Sequence, residues 1–272
     1  MELNCVLLTD GLPQTGARLE LETPDPLNAL TPLAGKPMGQ WVLDALTEAS
    51  QVGSIVVVGA DTSQSLTSPK IVARVTEQGR FLANLVAGLD RMIEIQPQSR
   101  YVLFCTADIP LITGDIVNQV VARWEALQRE TEADMYYHVI PRALMEQQFA
   151  AANRKCIRLL EGDFAGANMH VLATHLARRQ QDLWGSLLDS SENILQQVIR
   201  LGGDFFFKLM TRRLSMEELE GYAPKRLGIR LKVVASDFAE IGMEANKPFR
   251  LDICRDALEE KRHGGTGSTE KP

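Results

Sequence analysis

Tyr101-Val102-Leu103-Phe104-Cys105 runs straight into Thr106-Ala107-Asp108-Ile109-Pro110-Leu111, and this break decides the fold. An apolar run without alternation reads as a strand covered on both faces, as in the parallel sheet of an α/β protein. Pro110 has no N–H to offer a ladder, so the strand must stop before it. Asp108 then falls just past the carboxyl end, the edge where open α/β sheets bind ligands. A carboxylate exposed on that rim, outside the core, suits a hard cation such as Mg²⁺. The same position suits a cap for a helix beginning near Thr113 or Asp115, and spacing alone does not separate the two readings.

Outward from this run, strands and helices alternate. Asn4–Thr9 reads as a buried strand, followed by a polar loop from Asp10 to Thr31. Pro37–Ser50 carries Trp41, Val42, Ala45 and Leu46 at helical spacing, and Ser54–Gly59 reads as a second buried strand. Arg80–Ile95 places Leu82, Leu85, Val86, Leu89 and Met92 on one helical stripe. A helix over Asp115–Arg129 and a strand at Met135–Ile140 follow. Such alternation predicts right-handed βαβ crossovers and a mostly parallel sheet. Past Pro141 the pattern changes. Lys155–Leu160 and Asn168–Leu172 read as two strands around the turn Glu161-Gly162-Asp163. Mainly helical sequence runs from His175 to Leu227, with Ser215-x-x-Glu218 as a capping box. Ile229–Val234 reads as a late strand and Phe249–Arg262 as a closing helix. No composition shift marks a linker, so residues 1–262 read as one domain with a helical insertion at about 175–227. The Gly-, Ser- and Thr-rich tail, His263–Pro272, is expected to be disordered.

Charge and cysteine usage narrow the class. A net charge of −6 over 272 residues argues against non-specific binding to nucleic acid. No apolar segment reaches the roughly 20 residues of a membrane span, and no signal peptide opens the chain, so the cytoplasm is the expected compartment. Cys5, Cys105, Cys156 and Cys254 form no CxxC pair, and Cys5 and Cys105 fall inside buried strands as inert thiols. His138, His170, His175 and His263 show no zinc-ligand spacing.

Four segments, in order, resemble the molybdenum-cofactor-guanylyltransferase-like nucleotidyltransferases. Asn28-Ala-Leu-Thr-Pro-Leu-Ala-Gly-Lys-Pro37 is similar to the family's P-K-A-L-x-P-L-x-G-K-P stretch. Thr106-Ala-Asp-Ile-Pro-Leu111 is similar to its metal-binding x-x-D-x-P-L motif. Asn153-Arg-Lys-Cys-Ile-Arg-Leu-Leu-Glu-Gly-Asp-Phe-Ala-Gly-Ala-Asn168 looks like the K-R-x-Y-x-x-L-x-x-G-x-F-x-G-G-N hairpin of one subgroup. Ile241-Gly-Met-Glu-Ala-Asn-Lys-Pro248 is similar to the closing G-x-D-x-D-x-P motif. The resemblance implies a Rossmann-like, three-layer fold of the nucleotide-diphospho-sugar transferase, or glycosyltransferase-A, type.

It also implies a reaction. An acceptor phosphate attacks the α-phosphorus of a nucleoside triphosphate, an NMP moves to the small-molecule acceptor, and pyrophosphate leaves. Such transfer rests on alignment and charge stabilisation rather than on a protein nucleophile. By resemblance, Asp108 and Asn246 hold Mg²⁺, with Asp108 catalytic, Gly11 and Arg18 lie at the phosphates, and Lys36 is a second catalytic residue that neutralises charge in place of the family lysine. Asn84 and Gly88 match where relatives approach the base, and Lys155, Gly166 and Asn168 face the acceptor. Each has a plainer reading: an exposed helix residue for Asn84, hairpin residues at positive φ for Gly166 and Asn168, and a solvated cationic strand edge for Arg154 and Lys155. Three consecutive phenylalanines in Asp204-Phe-Phe-Phe207 cannot share one helix face, which leaves one for core and another for a homodimer contact or acceptor pocket.

The departures from the family pattern carry chemistry too. The family's glycine-rich opening loop reads here Leu8-Thr-Asp-Gly-Leu-Pro-Gln-Thr-Gly16, where Pro13 removes a donor and Asp10 adds a negative charge. The family lysine of P-K-A-L is Asn28. Two further readings therefore stand beside the active transferase: a catalytically degenerate homologue binding a nucleotide or nucleotide-sugar as a sensor or partner subunit, and a glycosyltransferase.

Overall fold

The computed structural model describes residues 2–9, 27–59, 65–178 and 203–264. Its strands are β1 (Leu3–Leu8), β2 (Pro32–Leu33), β3 (Lys36–Pro37), β4 (Val52–Val58), β5 (Ile71–Val75), β6 (Tyr101–Thr106), β7 (Met135–Pro141), β8 (Cys156–Leu159), β9 (Gly162–Gly166), β10 (Met169–Ala173) and β11 (Leu231–Ala235). The helices are α1 (Met38–Glu48), α2 (Phe81–Ile95), α3 (Gly114–Glu130), α4 (Arg142–Phe149), α5 (Gly203–Met210), α6 (Met216–Arg226) and α7 (Pro248–Gly264).

Nine strands form one sheet in the order β5-β4-β1-β6-β10-β7-β9-β8, with β11 on the other edge of β7. The pairs β1–β4, β1–β6, β4–β5 and β7–β11 are parallel. The pairs β6–β10, β10–β7, β7–β9 and β8–β9 are antiparallel. Only β9 and β10 therefore run against the other strands, and the sheet is mostly parallel. The expected Rossmann-like three-layer fold is the one observed.

The layering follows from the period of two along each central strand. Cys5 and Leu7 of β1, Ile55 and Val57 of β4, and Leu103 and Cys105 of β6 join a core with α1, α3 and α7. Their alternates Val6, Leu8, Val56, Val58, Val102 and Phe104 join a second core with α2 and α6. This two-sided cover is why those strands carry apolar residues without alternation. On α3, Trp124 is 1% exposed and packs on Tyr101 and Tyr136, with centroids 5.4 and 6.3 Å away. Burying a side chain of this kind stabilises by about 1.5–3 kcal/mol or more.

Helix boundaries fall within two residues of expectation, and the Ser215–Glu218 capping box is formed in both directions. Thr113, not Asp108, caps α3: its hydroxyl accepts the Ile116 N–H, and Asp115 supplies a favourable charge in the first turn. Asp108 is thus free of a capping role.

Several local details differ from expectation or add to it. The partner of β8 is β9, not the segment at Asn168; β10 lies away from that hairpin, between β6 and β7. Strand β5 and helix α4 were not anticipated, because Ile71–Val75 is half-exposed at the sheet edge and α4 is a short helix with one buried residue, Met145. Gly166 and Asn168 do not take positive φ; Gly162 does, at 144°. Within the phenylalanine run, Phe205 is buried edge-on to Tyr222 while Phe207 is 62% exposed. Helix α7 continues through Gly264, and the rest of the expected tail lies outside the described residues. So does the remainder of the expected helical insertion, residues 179–202.

Candidate active site at the carboxyl end of β6

Asp108 is 2% exposed, so the expected rim carboxylate is in fact a buried one. Both side-chain donors reach the same oxygen: Thr106 Oγ1 donates to Oδ1 at 2.6 Å and Asn168 Nδ2 at 2.9 Å. Burial, and then the neighbouring Glu244 carboxylate, push the Asp108 pKa up to about 6 against the pull of these two bonds. The carboxyl is held in place while its charge is resisted.

Three chain segments meet there. The Thr106 N–H donates to Asn168 O at 3.1 Å, and the Asn168 N–H to Ile241 O at 2.8 Å. The Ala245 N–H donates to Asp108 O at 2.7 Å. Backbone bonds thus dock the 241–246 loop and the β9–β10 connection onto the end of β6. Gly166 lets Tyr137 come close, since a Cβ there would lie 3.2 Å from the phenolic oxygen.

The docked loop delivers Glu244 and Asn246. Asn246 Nδ2 donates to Glu244 Oε2 at 2.7 Å, and Arg250 Nη1 donates to Asn246 Oδ1 at 3.0 Å. Arg154 Nη1 forms an ion pair with the same Oε2, and Arg250 Nη1 lies 3.5 Å from it. Both arginine side chains are more than nine-tenths buried. Arg250 also donates from Nε to Ala152 O at 2.9 Å, and Arg154 from Nη2 to Gly166 O at 3.0 Å. Burial, and then Arg154, hold Arg250 below the usual guanidinium range.

Residues 28–181, more than half the chain, match the MobA-like NTP transferase domain. The chain belongs to that family. Like the other MobA-like domains it is a member of a nucleotidyltransferase family. A solved hypothetical transferase from Thermus thermophilus is similar over 92% of this chain and 100% of its own, at 28% identity and a TM-score of 0.74. CMP:2-keto-3-deoxy-manno-octonic acid synthetase, solved with CTP, covers 96% and 100% at 14% identity and a TM-score of 0.56. The 4-diphosphocytidyl-2C-methyl-D-erythritol synthase from Anaerococcus prevotii covers 95% and 98% at 9% identity and a TM-score of 0.56. The last two show the fold alone. Comparison with functionally curated proteins gives no match. No described helix is long and apolar enough to cross a membrane.

Of the residues that the sequence of this MobA-like domain singled out, Asp108, Asn168, Asn246 and Gly166 come together. Lys155 is exposed beside them, as a solvated strand edge would be, whereas Arg154 is buried. Lys36 follows the two-residue turn Ala34-Gly35, both at positive φ, and pairs with Asp44 while lying 3.6 Å over the Trp41 ring. Asn84 is fully buried rather than exposed, and its Oδ1 accepts the Gln78 N–H at 2.6 Å. Gly88 is a packing position: a Cβ there would meet Val6 Cγ1 at 2.5 Å and Val58 Cγ2 at 2.8 Å. Gly11 and Arg18 lie outside the described residues.

Thr106, Glu244 and Arg250 were missed as site members. Arg250 did carry a signal: a cation in the first turn of a helix opposes the helix dipole unless a partner holds it. Among the described residues no three His, Cys, Asp or Glu side chains converge as a metal cage. Mg²⁺ does not need one, since it is commonly held by one or two carboxylates together with substrate phosphates and water. Asp108 Oδ2, unused by the two side-chain donors, and Asn246 Oδ1 are oxygens suited to it. A divalent cation would also relieve the repulsion between Asp108 and Glu244.

Proposed function

We propose that this chain is a Mg²⁺-dependent nucleotidyltransferase that moves an NMP from a nucleoside triphosphate to a phosphorylated small-molecule acceptor. The observation that carries the reading is Asp108: buried at the carboxyl end of β6, fixed by Thr106 and Asn168, and joined through Ala245 to the loop bearing Asn246. Asp108 and Asn246 hold the cation, which shields the charge of the triphosphate. Asn84, one helical turn from the Gly88 contact and so nearer the carboxyl ends of β1 and β4, lies on the base side. Lys155, Gly166 and Asn168 lie on the acceptor side. An acceptor phosphate oxygen forms the new bond to the α-phosphorus as the bond to pyrophosphate breaks. The protein aligns the two and stabilises charge.

A second reading has its own observation. Asn28, in place of the family lysine, is committed to its own turn: its Oδ1 accepts the Leu30 N–H at 2.8 Å. Lys36 is likewise held by Asp44. These favour a homologue that binds a nucleotide or nucleotide-sugar, as a sensor or partner subunit, without turning it over.

Calorimetric titration with ATP, CTP, GTP and UTP, with and without Mg²⁺, tests both, followed by a pyrophosphate-release assay with phosphorylated acceptors. Base-selective, Mg²⁺-dependent binding with release supports the transferase. Binding without release supports the second reading, and no binding of any triphosphate removes the transferase.

A further inference from the structure

Glu244 takes more donors than one carboxylate oxygen serves well. Arg154 Nη1, Arg250 Nη1 and Asn246 Nδ2 all converge on Oε2. Two buried guanidinium groups thus press on one carboxylate oxygen, with Asp108 the other carboxylate that acts on Arg250. Phosphate, a favoured partner of arginine, offers three terminal oxygens and nearly two negative charges. Its three oxygens would take Arg154 Nη1, Arg250 Nη1 and Asn246 Nδ2 separately, where a single carboxylate oxygen now takes all three.

We propose that the Arg154–Arg250 pair is the seat for a phosphate group of the acceptor, and that the Glu244 carboxylate fills this seat in the unliganded protein. The assignment to the acceptor rests on the transferase reading; the anion seat itself does not. The seat has firm walls. Arg250 is anchored by Ala152 O and Asn153 O, and Arg154 by Gly166 O. An arriving phosphate therefore displaces Glu244 and leaves the guanidinium groups where they are. The displaced carboxylate opposes binding, so the unliganded protein holds phosphate weakly.

The test is calorimetric titration of the full chain with inorganic phosphate, without nucleotide or metal. Glu244→Gln keeps the shape and the Asn246 contact but removes the competing charge. It should bind phosphate at least about tenfold more tightly than the wild type, since like-charge juxtaposition is costly at such sites. Glu244→Gln combined with Arg154→Gln should lose that gain. Phosphate should also raise the melting temperature of Glu244→Gln and not of the double variant, which checks that both are folded. Glu244→Asp, which withdraws the carboxylate by one methylene, should show an intermediate gain. Unchanged phosphate affinity in Glu244→Gln and Glu244→Asp, or a gain that survives the loss of Arg154, overturns the proposal. Phosphate in the seat without triphosphate binding keeps the anion site and removes the transferase reading. Triphosphate binding with unchanged phosphate affinity does the reverse.

Discussion

The side-chain amide of Asn168 donates to Oδ1 of Asp108 at 2.9 Å, a contact that spans 60 positions of chain. It is made where antiparallel β10 returns beside β6, with Met169 opposite Cys105. The turn into antiparallel β10 is thus what brings a neutral donor to the buried carboxylate. A second neutral donor, Thr106, comes from the strand itself. Neither cancels the charge, so Asp108 remains a carboxylate in search of a cation.

Replacing that carboxylate should stabilise the fold and abolish the site. Burial and Glu244 raise the Asp108 pKa from 3.8 to about 6. The folded protein therefore holds this proton over an interval where the unfolded chain has released it, and the contribution to stability falls as pH rises from about 4 to 6. Above that interval the ionised group costs about 3 kcal/mol. Asp108→Asn keeps an oxygen for Thr106 and Asn168 and removes the charge. At pH 7 it should unfold at higher denaturant concentration than the wild type and show no Mg²⁺-dependent triphosphate binding. A loss of more than about 1 kcal/mol would instead assign Asp108 a structural role, as for ordinary buried polar deletions.

The same shift predicts a pH profile for cation-dependent binding. Cation binding requires the ionised form, so triphosphate affinity measured with Mg²⁺ should be level above pH 7. Below the pKa it should fall, by about tenfold at pH 5, as a single titrating carboxyl requires. An affinity that is flat between pH 5 and 7 would mean that Asp108 does not hold the cation.

Gly88→Ala should act on stability before it acts on binding. A Cβ would sit 2.5 Å from Val6 and 2.8 Å from Val58, both within covered strands, so α2 must shift outward. Overpacking of this kind costs about 1–3 kcal/mol. Thermal unfolding compared with triphosphate affinity at a temperature where both proteins are folded separates the two roles. An unchanged melting temperature with weakened nucleotide binding would return Gly88 to the base-binding side.

How legible each part was follows from what local sequence encodes. β1, β4 and β6 were readable because both of their faces are covered, and continuous apolar runs result. Asp108 was readable because Pro110 ends the strand just beyond it. The burial of Asp108 was not, since the groups that cover it come from the 241–246 loop and from Asn168, whose docking is a tertiary event. The strand pattern paired β8 with the segment at Asn168 because three short strands share one mixed stretch of sequence, although the hairpin of the family resemblance, 153–168, is the one formed. The arginine pair was half seen: Arg154 stood in a recognisable hairpin, while Arg250 became visible only once α7 met Ala152 and Asn153.

His138 should govern the acid limit of the fold. Burial lowers its pKa from 6.5 to about 4, and burial and then His138 lower that of His170 to about 3. The two rings lie parallel, 6.2 Å apart, and the His138 N–H donates to His170 Nδ1 at 3.1 Å. Among the described residues neither ring nitrogen of His138 has a partner in ordinary hydrogen-bond geometry, and the Met169 backbone, which acts against burial on this ring, does not outweigh it. The unfolded chain takes up a proton at each histidine near pH 6.5, and the folded chain resists it. Stability from the neutral rings is therefore fully present above pH 6.5 and is lost as pH falls toward 4. The loss at His138 alone comes to about 3 kcal/mol, opposite in sign to the gain that Asp108 supplies over part of the same range. His138→Leu removes the titrating ring, loses only its interaction with the Met169 backbone and keeps the backbone bond to His170. Its urea midpoint should match the wild type closely at pH 7 and exceed it by about 2 kcal/mol at pH 4.5. Equal acid sensitivity in the two proteins would place the titration elsewhere, with His170→Asn then the variant to measure, because an amide oxygen there can still accept the His138 N–H.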